Sequence, residues 1–143
     1  MLDARLNSSW WALRLTYGLV PVVAGLDKFT NILSPWADYL NPLVPRVLGV
    51  APSTFMHLVG VVEVAAGLLV LSRLTRYGAY VVAAWLLLIA INLVTTGHFL
   101  DVAVRDVVMA VGALVLARLS EVKADVAARS GQPGSLQTAR STV

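Results

Sequence analysis

The chain has 143 residues, 58% hydrophobic and 13% charged, with a formal net charge of +3 and a mean hydropathy of +0.77. Soluble domains carry about 25% charged residues, so this deficit excludes an ordinary soluble domain and points to a membrane protein. The basic residues form no aromatic-interleaved face, which excludes nucleic acid as a partner, and the absence of cysteine excludes a thiol relay, a disulfide framework and thiolate metal ligands.

Residues 1–9 are a short polar N-terminus, expected in the cytoplasm. No cleavable signal peptide is expected, because the first apolar run is long, contains Arg14, Pro21 and Gly25, and lacks a small-residue cleavage pattern. The first predicted span covers residues 10–29 and opens on Trp10 and Trp11, an aromatic pair suited to a membrane–water interface. Along it Arg14, Gly18, Pro21, Gly25 and Lys28 recur at steps of four, three, four and three. That spacing forms one helical seam, and a seam with two cations and two glycines is expected to face protein. Arg14 alone also admits a plainer reading, a side chain snorkelling to the near interface.

Residues 30–53 form a connection with four prolines, which exclude a long straight helix. Its pieces at 36–40 and 43–50 are apolar enough to rest in the interface or to cap the helices. The second predicted span, residues 54–72, carries Glu63 near its middle. A central acid costs roughly 2.5–3.5 kcal/mol on insertion scales, so it requires a partner. Gly60, Glu63 and Gly67 share one face, and small residues beside the acid allow a neighbouring backbone to come close.

The third predicted span covers residues 77–96, with Gly78, Trp85 and Asn92 on one face at intervals of seven. Asn92 is expected to hydrogen-bond a neighbouring helix. The fourth covers residues 99–119, and its first turns hold Asp101, Arg105 and Asp106, where Asp101 and Arg105 form an i,i+4 pair. Residues 120–143 lose the hydrophobic pattern and are expected to be a polar, disordered cytoplasmic tail.

Lys and Arg counts orient the spans. Arg5, Arg73, Arg76, Arg118, Lys123 and Arg129 fall on one side, whereas Lys28, Arg46 and Arg105 fall on the other among acids. The first side is therefore cytoplasmic. The fold expected is all-α, an integral-membrane antiparallel four-helix bundle with both termini inside. At ~1.5 Å per residue, Lys28, His57, Glu63, Asn92, Arg105 and Asp106 come from separate spans to the outer half of the bundle, where they are expected to form a buried polar pocket.

Lys28 and Arg105 set two positive charges in that region against up to four negative ones, Asp27, Glu63, Asp101 and Asp106. Glu63 is therefore expected either to be neutral or to pair with Arg105 or Lys28, with Arg105 preferred for its bidentate reach. His57 and His98 are candidate proton carriers. No ligand set with metal-site spacing is present, so no metal is expected.

Arg14, Gly18 and GLDK at Gly25–Lys28, then GVVEVAAG at Gly60–Gly67, then the RD at Arg105–Asp106, resemble the DoxX-like family of small bacterial membrane proteins. The resemblance spans residues 10–119. It implies a four-helix membrane fold, and it is similar to the membrane subunit of thiosulfate:quinone oxidoreductases. Without cysteine, electron transfer would need a bound quinone or a partner's cofactor. Two functions follow as expectations. One is an accessory subunit of a quinone-linked redox system, with a quinone as its only candidate cofactor and a redox partner or a second copy as its neighbour. The other is a non-catalytic scaffold or assembly factor whose buried charges only fix helix packing. A small transporter is less favoured, since no inverted repeat is visible.

Overall fold

The computed structural model describes residues 2–130, and among them all regular structure is helical. The order is α1 (Leu2–Asp27), a 3-10 turn (Trp36–Tyr39), α2 (Leu43–Leu48), α3 (Pro52–Leu71), α4 (Thr75–Thr96) and α5 (Leu100–Ser130). Two helices, Pro52–Leu71 and Thr75–Thr96, are long and apolar enough to cross a membrane, with mean hydropathies of 2.0 and 2.1. Leu, Val and Ile side chains lie exposed along α1, α3, α4 and α5, a surface suited to lipid rather than water.

The helix limits follow local chemistry. At the end of α1 the Asp27 carboxylate accepts from Thr30 Oγ1 at 2.9 Å and from the backbone N–H groups of Ile32 and Leu33 at 3.0 Å each. Those bonds turn the chain away through Asn31, which has a φ of 53°. Gly49 ends α2 at a φ of 67° and Gly97 ends α4 at 71°, where the lack of a Cβ makes the left-handed conformation inexpensive. Pro52 opens α3 at a position where its missing N–H costs nothing.

Two helices run beyond the spans read from hydropathy. The polar residues ahead of Trp10 belong to α1, and α5 continues to Ser130, so the tail is helical at its start. Hydropathy marks where lipid can cover a helix; Ala, Leu, Arg, Glu and Lys keep a helix going after that cover ends. The rest of the expected disordered tail, residues 131–143, lies outside the described residues.

The long helices pack most closely as two pairs, α1 with α3 and α4 with α5. α1 and α3 run antiparallel through reciprocal glycines. A Cβ on Gly25 would sit 2.6 Å from the Gly60 carbonyl oxygen, one on Gly60 2.5 Å from that of Gly25, and one on Gly67 2.5 Å from that of Gly18. Only glycine permits backbones to come this close.

At the end where α1 begins and α3 turns into α4, all four helices share one core. Tyr17 of α1, Val70 of α3, Val82 of α4 and Leu116 of α5 interlock there with alanines. Arg14 fastens this end by donating to the carbonyls of Val70 (3.2 Å), Leu71 and Ser72 (2.8 Å), which the last turn of α3 leaves unpaired. Its guanidinium lies 5.0 and 4.9 Å from the rings of Trp10 and Trp11. Arg14 is thus a helix-capping cation rather than a snorkelling one. Trp10 Nε1 donates to Ser120 Oγ at 2.8 Å and Lys123 Nζ to Asn7 Oδ1 at 2.6 Å, closing α1 on α5. Toward the opposite end the second core cluster joins only α4 and α5, through Ala90, Leu93 and Ala103, with Tyr39 of the connection against it. The two pairs therefore part, and a cavity opens between them.

Candidate functional site

The cavity has a volume of about 670 Å³, within the ~300–1,000 Å³ range of small-molecule sites. Val59, Ala66, Val82, Leu86, Ile89 and Met109 give it apolar walls. Glu63, Asn92, Arg105 and Asp106 line it from α3, α4 and α5 and Lys28 from the turn just past α1, and Leu33, Trp36, Tyr39, Leu40 and Val44 of the connection cover its mouth.

The most buried charges are at the α1–α3 contact. Because Gly60 has no side chain, the Lys28 Cβ fits 3.2 Å from where its Cβ would stand. From there Lys28 Nζ donates to Glu63 Oε2 at 2.6 Å. Lys28 is 4% and Glu63 6% exposed. The preferred partner from sequence, Arg105, is not the partner found. Axial depth permitted either cation; the glycine contact delivers Lys28 directly to Glu63, whereas Arg105 stands on α5.

Two tryptophans complete this pair. The Trp36 ring lies 3.9 Å from Lys28 Nζ, close enough for a cation–π contact. Trp36 Nε1 donates to Asp27 Oδ2 at 2.7 Å. Trp85 Nε1 reaches Glu63 Oε1 at 3.4 Å, a long contact. Asp27 therefore spends its carboxylate on the connection and on Trp36, and does not join the pool of charges competing for Lys28.

Asn92 also serves the connection. Its Oδ1 accepts from the Asn41 N–H at 3.1 Å and its Nδ2 donates to the Tyr39 carbonyl at 2.7 Å. It thus ties α4 to the connection's backbone rather than to another helix. Arg105 is exposed at the cavity edge and Asp106 is half-buried beside it. Neither enters an ion pair among the described residues, and the expected Asp101–Arg105 pair does not form.

His57 is not in the cavity wall. It stacks on Phe29 with ring centroids 4.8 Å apart and planes 10° apart. His98 is exposed in the α4–α5 turn, outside the wall, its backbone N–H donating to Thr96 Oγ1 at 3.1 Å. Among the described residues no three of His, Cys, Asp or Glu converge as a metal requires.

Sequence reasoning missed Trp36 as the cover on Lys28 and Trp85 as the second contact of Glu63. A signal was available for Trp85: tryptophan favours membrane interfaces, and one placed mid-span asks for an interior polar partner. With Lys28, Glu63 and Trp85 bonded to one another, the wall offers donors from Arg105 and acceptors from Asp106, beside a large apolar volume. That combination suits an amphiphile with an oxygen-bearing head.

No curated protein and no solved structure matches the chain. A family model does, DoxX, over residues 9–96. The match takes in the Arg14–Lys28 seam, Glu63, Trp85 and Asn92, and stops short of Arg105 and Asp106. It covers more than half of the sequence, and the chain belongs to the DoxX family.

Proposed function

We propose that this chain is a multi-pass bacterial inner-membrane protein, an antiparallel four-helix bundle with both termini cytoplasmic. In this reading it is an accessory subunit of a quinone-linked redox system and holds a quinone, or an amphiphile like it, in its cavity. Membrane residence follows from the family and from the two apolar helices. The remaining two crossings are supported by the placement of charge on α1 and α5. Arg14 is spent on the end of α3, Lys28 on Glu63, and Arg105 and Asp106 line the cavity, so the other faces are free for lipid. Orientation rests on Arg5, Arg73, Arg76, Arg118, Lys123 and Arg129 gathering at one end.

The observation that carries the functional reading is the cavity itself, 670 Å³ of mostly apolar volume with a polar wall. Space of that size between two closely packed helix pairs is room that a ligand would fill favourably, since empty volume forfeits contacts. The alternative, a scaffold with no ligand, draws on a different fact: the Lys28–Glu63 pair is complete within the protein.

Purification in mild detergent, followed by organic extraction and mass analysis, separates the two. The redox reading expects a quinone at a constant ratio to the chain, or a co-purifying redox subunit. A stable chain that carries neither, from cells replete in quinone, refutes it and leaves the scaffold.

A further inference from the structure

We propose that the cavity is filled sideways from the lipid, through the seam between α1 and α5, and that Arg105 is the residue there that takes the ligand's head group. The inference rests on the reading of the cavity as a binding site and adds its route and its recognition residue.

The seam is closed along only part of its length. Tyr17 donates from its hydroxyl to the Met109 carbonyl at 2.7 Å and fills the space left by Gly112. From there toward the start of α1, Trp10–Ser120 and Asn7–Lys123 continue the closure. Toward the connection no hydrogen bond or ion pair among the described residues joins α1 to α5.

The residues that face the cavity and are also exposed show where it opens. Thr16 and Val20 are such residues on α1. They lie on the edge turned away from Gly18 and Gly25, hence away from α3. Arg105 is such a residue on α5. It sits seven residues, two helical turns, before Gly112, and so falls on the stripe that meets Tyr17. An exposed cation between two helices, without an ion-pair partner among the described residues, stands where a lipid-borne head group would pass. Its planar fork of donors matches a carbonyl or hydroxyl oxygen. Two competing openings meet the same test, one beside Leu88 of α4 and one beside Leu33 of the connection, both exposed and both lining the cavity.

The absence of cysteine makes the test clean. Single variants Val20→Cys, Leu88→Cys, Leu33→Cys and Val81→Cys, the last an exposed residue outside the cavity wall, are labelled with a bulky maleimide in nanodiscs. Binding of decylubiquinone is followed by quenching of Trp36 and Trp85, which line the cavity. The label on Val20→Cys is expected to slow quenching about tenfold or more at nearly constant final amplitude, with the other three labels inert. Arg105→Gln is expected to raise the Kd about tenfold or more and Arg105→Lys to restore part of it, with helicity unchanged. Slowing by the Leu88 label alone moves the opening to the α3–α4 side, and slowing by the Leu33 label alone moves it to the connection; either overturns the route. Quenching indifferent to every label and to Arg105→Gln overturns the whole inference while leaving the binding site standing. No saturable quenching in the unmodified chain overturns both.

Discussion

Replacing Glu63 with Gln strands the Lys28 ammonium at a position 4% exposed, with the Trp36 ring 3.9 Å away as its main compensation. Replacing Lys28 with Met strands the Glu63 carboxylate, left with a 3.4 Å contact from Trp85. Breaking a buried pair from one side costs about 3–5 kcal/mol. That cost has a ceiling, because a stranded group can exchange a proton with water. At pH 7 neutralising an ordinary carboxyl costs about 4 kcal/mol and an ordinary ammonium about 5 kcal/mol. Glu63→Gln should therefore be at least as damaging as Lys28→Met. The double variant removes both charges and should cost well under the sum of the singles, a coupling of about 2–3 kcal/mol. For a chain of this size the singles should lower the thermal midpoint in detergent by on the order of 10 °C. Tryptophan fluorescence and helical circular dichroism both read that midpoint. Singles that each move it by less than about 2 °C, or a double that equals their sum, would refute the pair as a coupled buried unit.

Gly60→Ala puts a methyl 2.5 Å from the Gly25 carbonyl oxygen and 3.2 Å from Lys28 Cβ, so α1 and α3 must separate. A loss of about 1–3 kcal/mol is expected by thermal unfolding, while Gly49→Ala, with nothing within 4 Å and only its φ of 67° to strain, should cost about 1 kcal/mol. Arg14→Gln removes the donors to Val70, Leu71 and Ser72; about 1–3 kcal/mol should be lost, measured by unfolding and by faster amide exchange at the end of α3. Glu121 is held below its ordinary carboxyl value of 4.5, first by the Tyr80 hydroxyl and then by Arg76 and Arg118. The stability it contributes is present above that ordinary value and lost as pH falls through the lowered one; Glu121→Gln should flatten the thermal midpoint against pH below about 5.

Much of the helix pattern is written in the apolar runs and in the glycines and prolines that bound them, because a span announces itself by length and hydropathy. The Arg14–Lys28 seam was legible for the same reason: a spacing of three and four puts residues on one face whatever they meet. What it meets was not legible. Rise per residue fixes how deep Lys28, Glu63 and Arg105 lie, but not which helices are neighbours or how far each is turned. Only the Gly25–Gly60 contact decides that Lys28 reaches the acid. Asp27 and Asn92 bond to backbone groups of the connection, and a backbone partner leaves no residue pattern to read. His57 had the right depth and the wrong direction, since Phe29 offers it a stacking surface away from the cavity.

The cavity follows from how small residues are distributed. Alanines and Gly78 bring α3, α4 and α5 together near the α3–α4 turn, and the Tyr17 ring fills what remains between α1 and α5. Toward the connection, smallness serves each pair separately: Gly25 and Gly60 draw α1 onto α3, and Ala90 and Ala103 draw α4 onto α5. Each pair satisfies its own packing without needing the other, so nothing pulls the pairs shut. The connection then covers the gap from above, hung from Asp27 on one pair and Asn92 on the other. A cover fastened to both pairs holds them at a fixed separation, so the open volume is a consequence of well-packed parts rather than of poor packing. The Lys28–Glu63 pair stands in the wall of that space, while the helix contacts and the cover set its size.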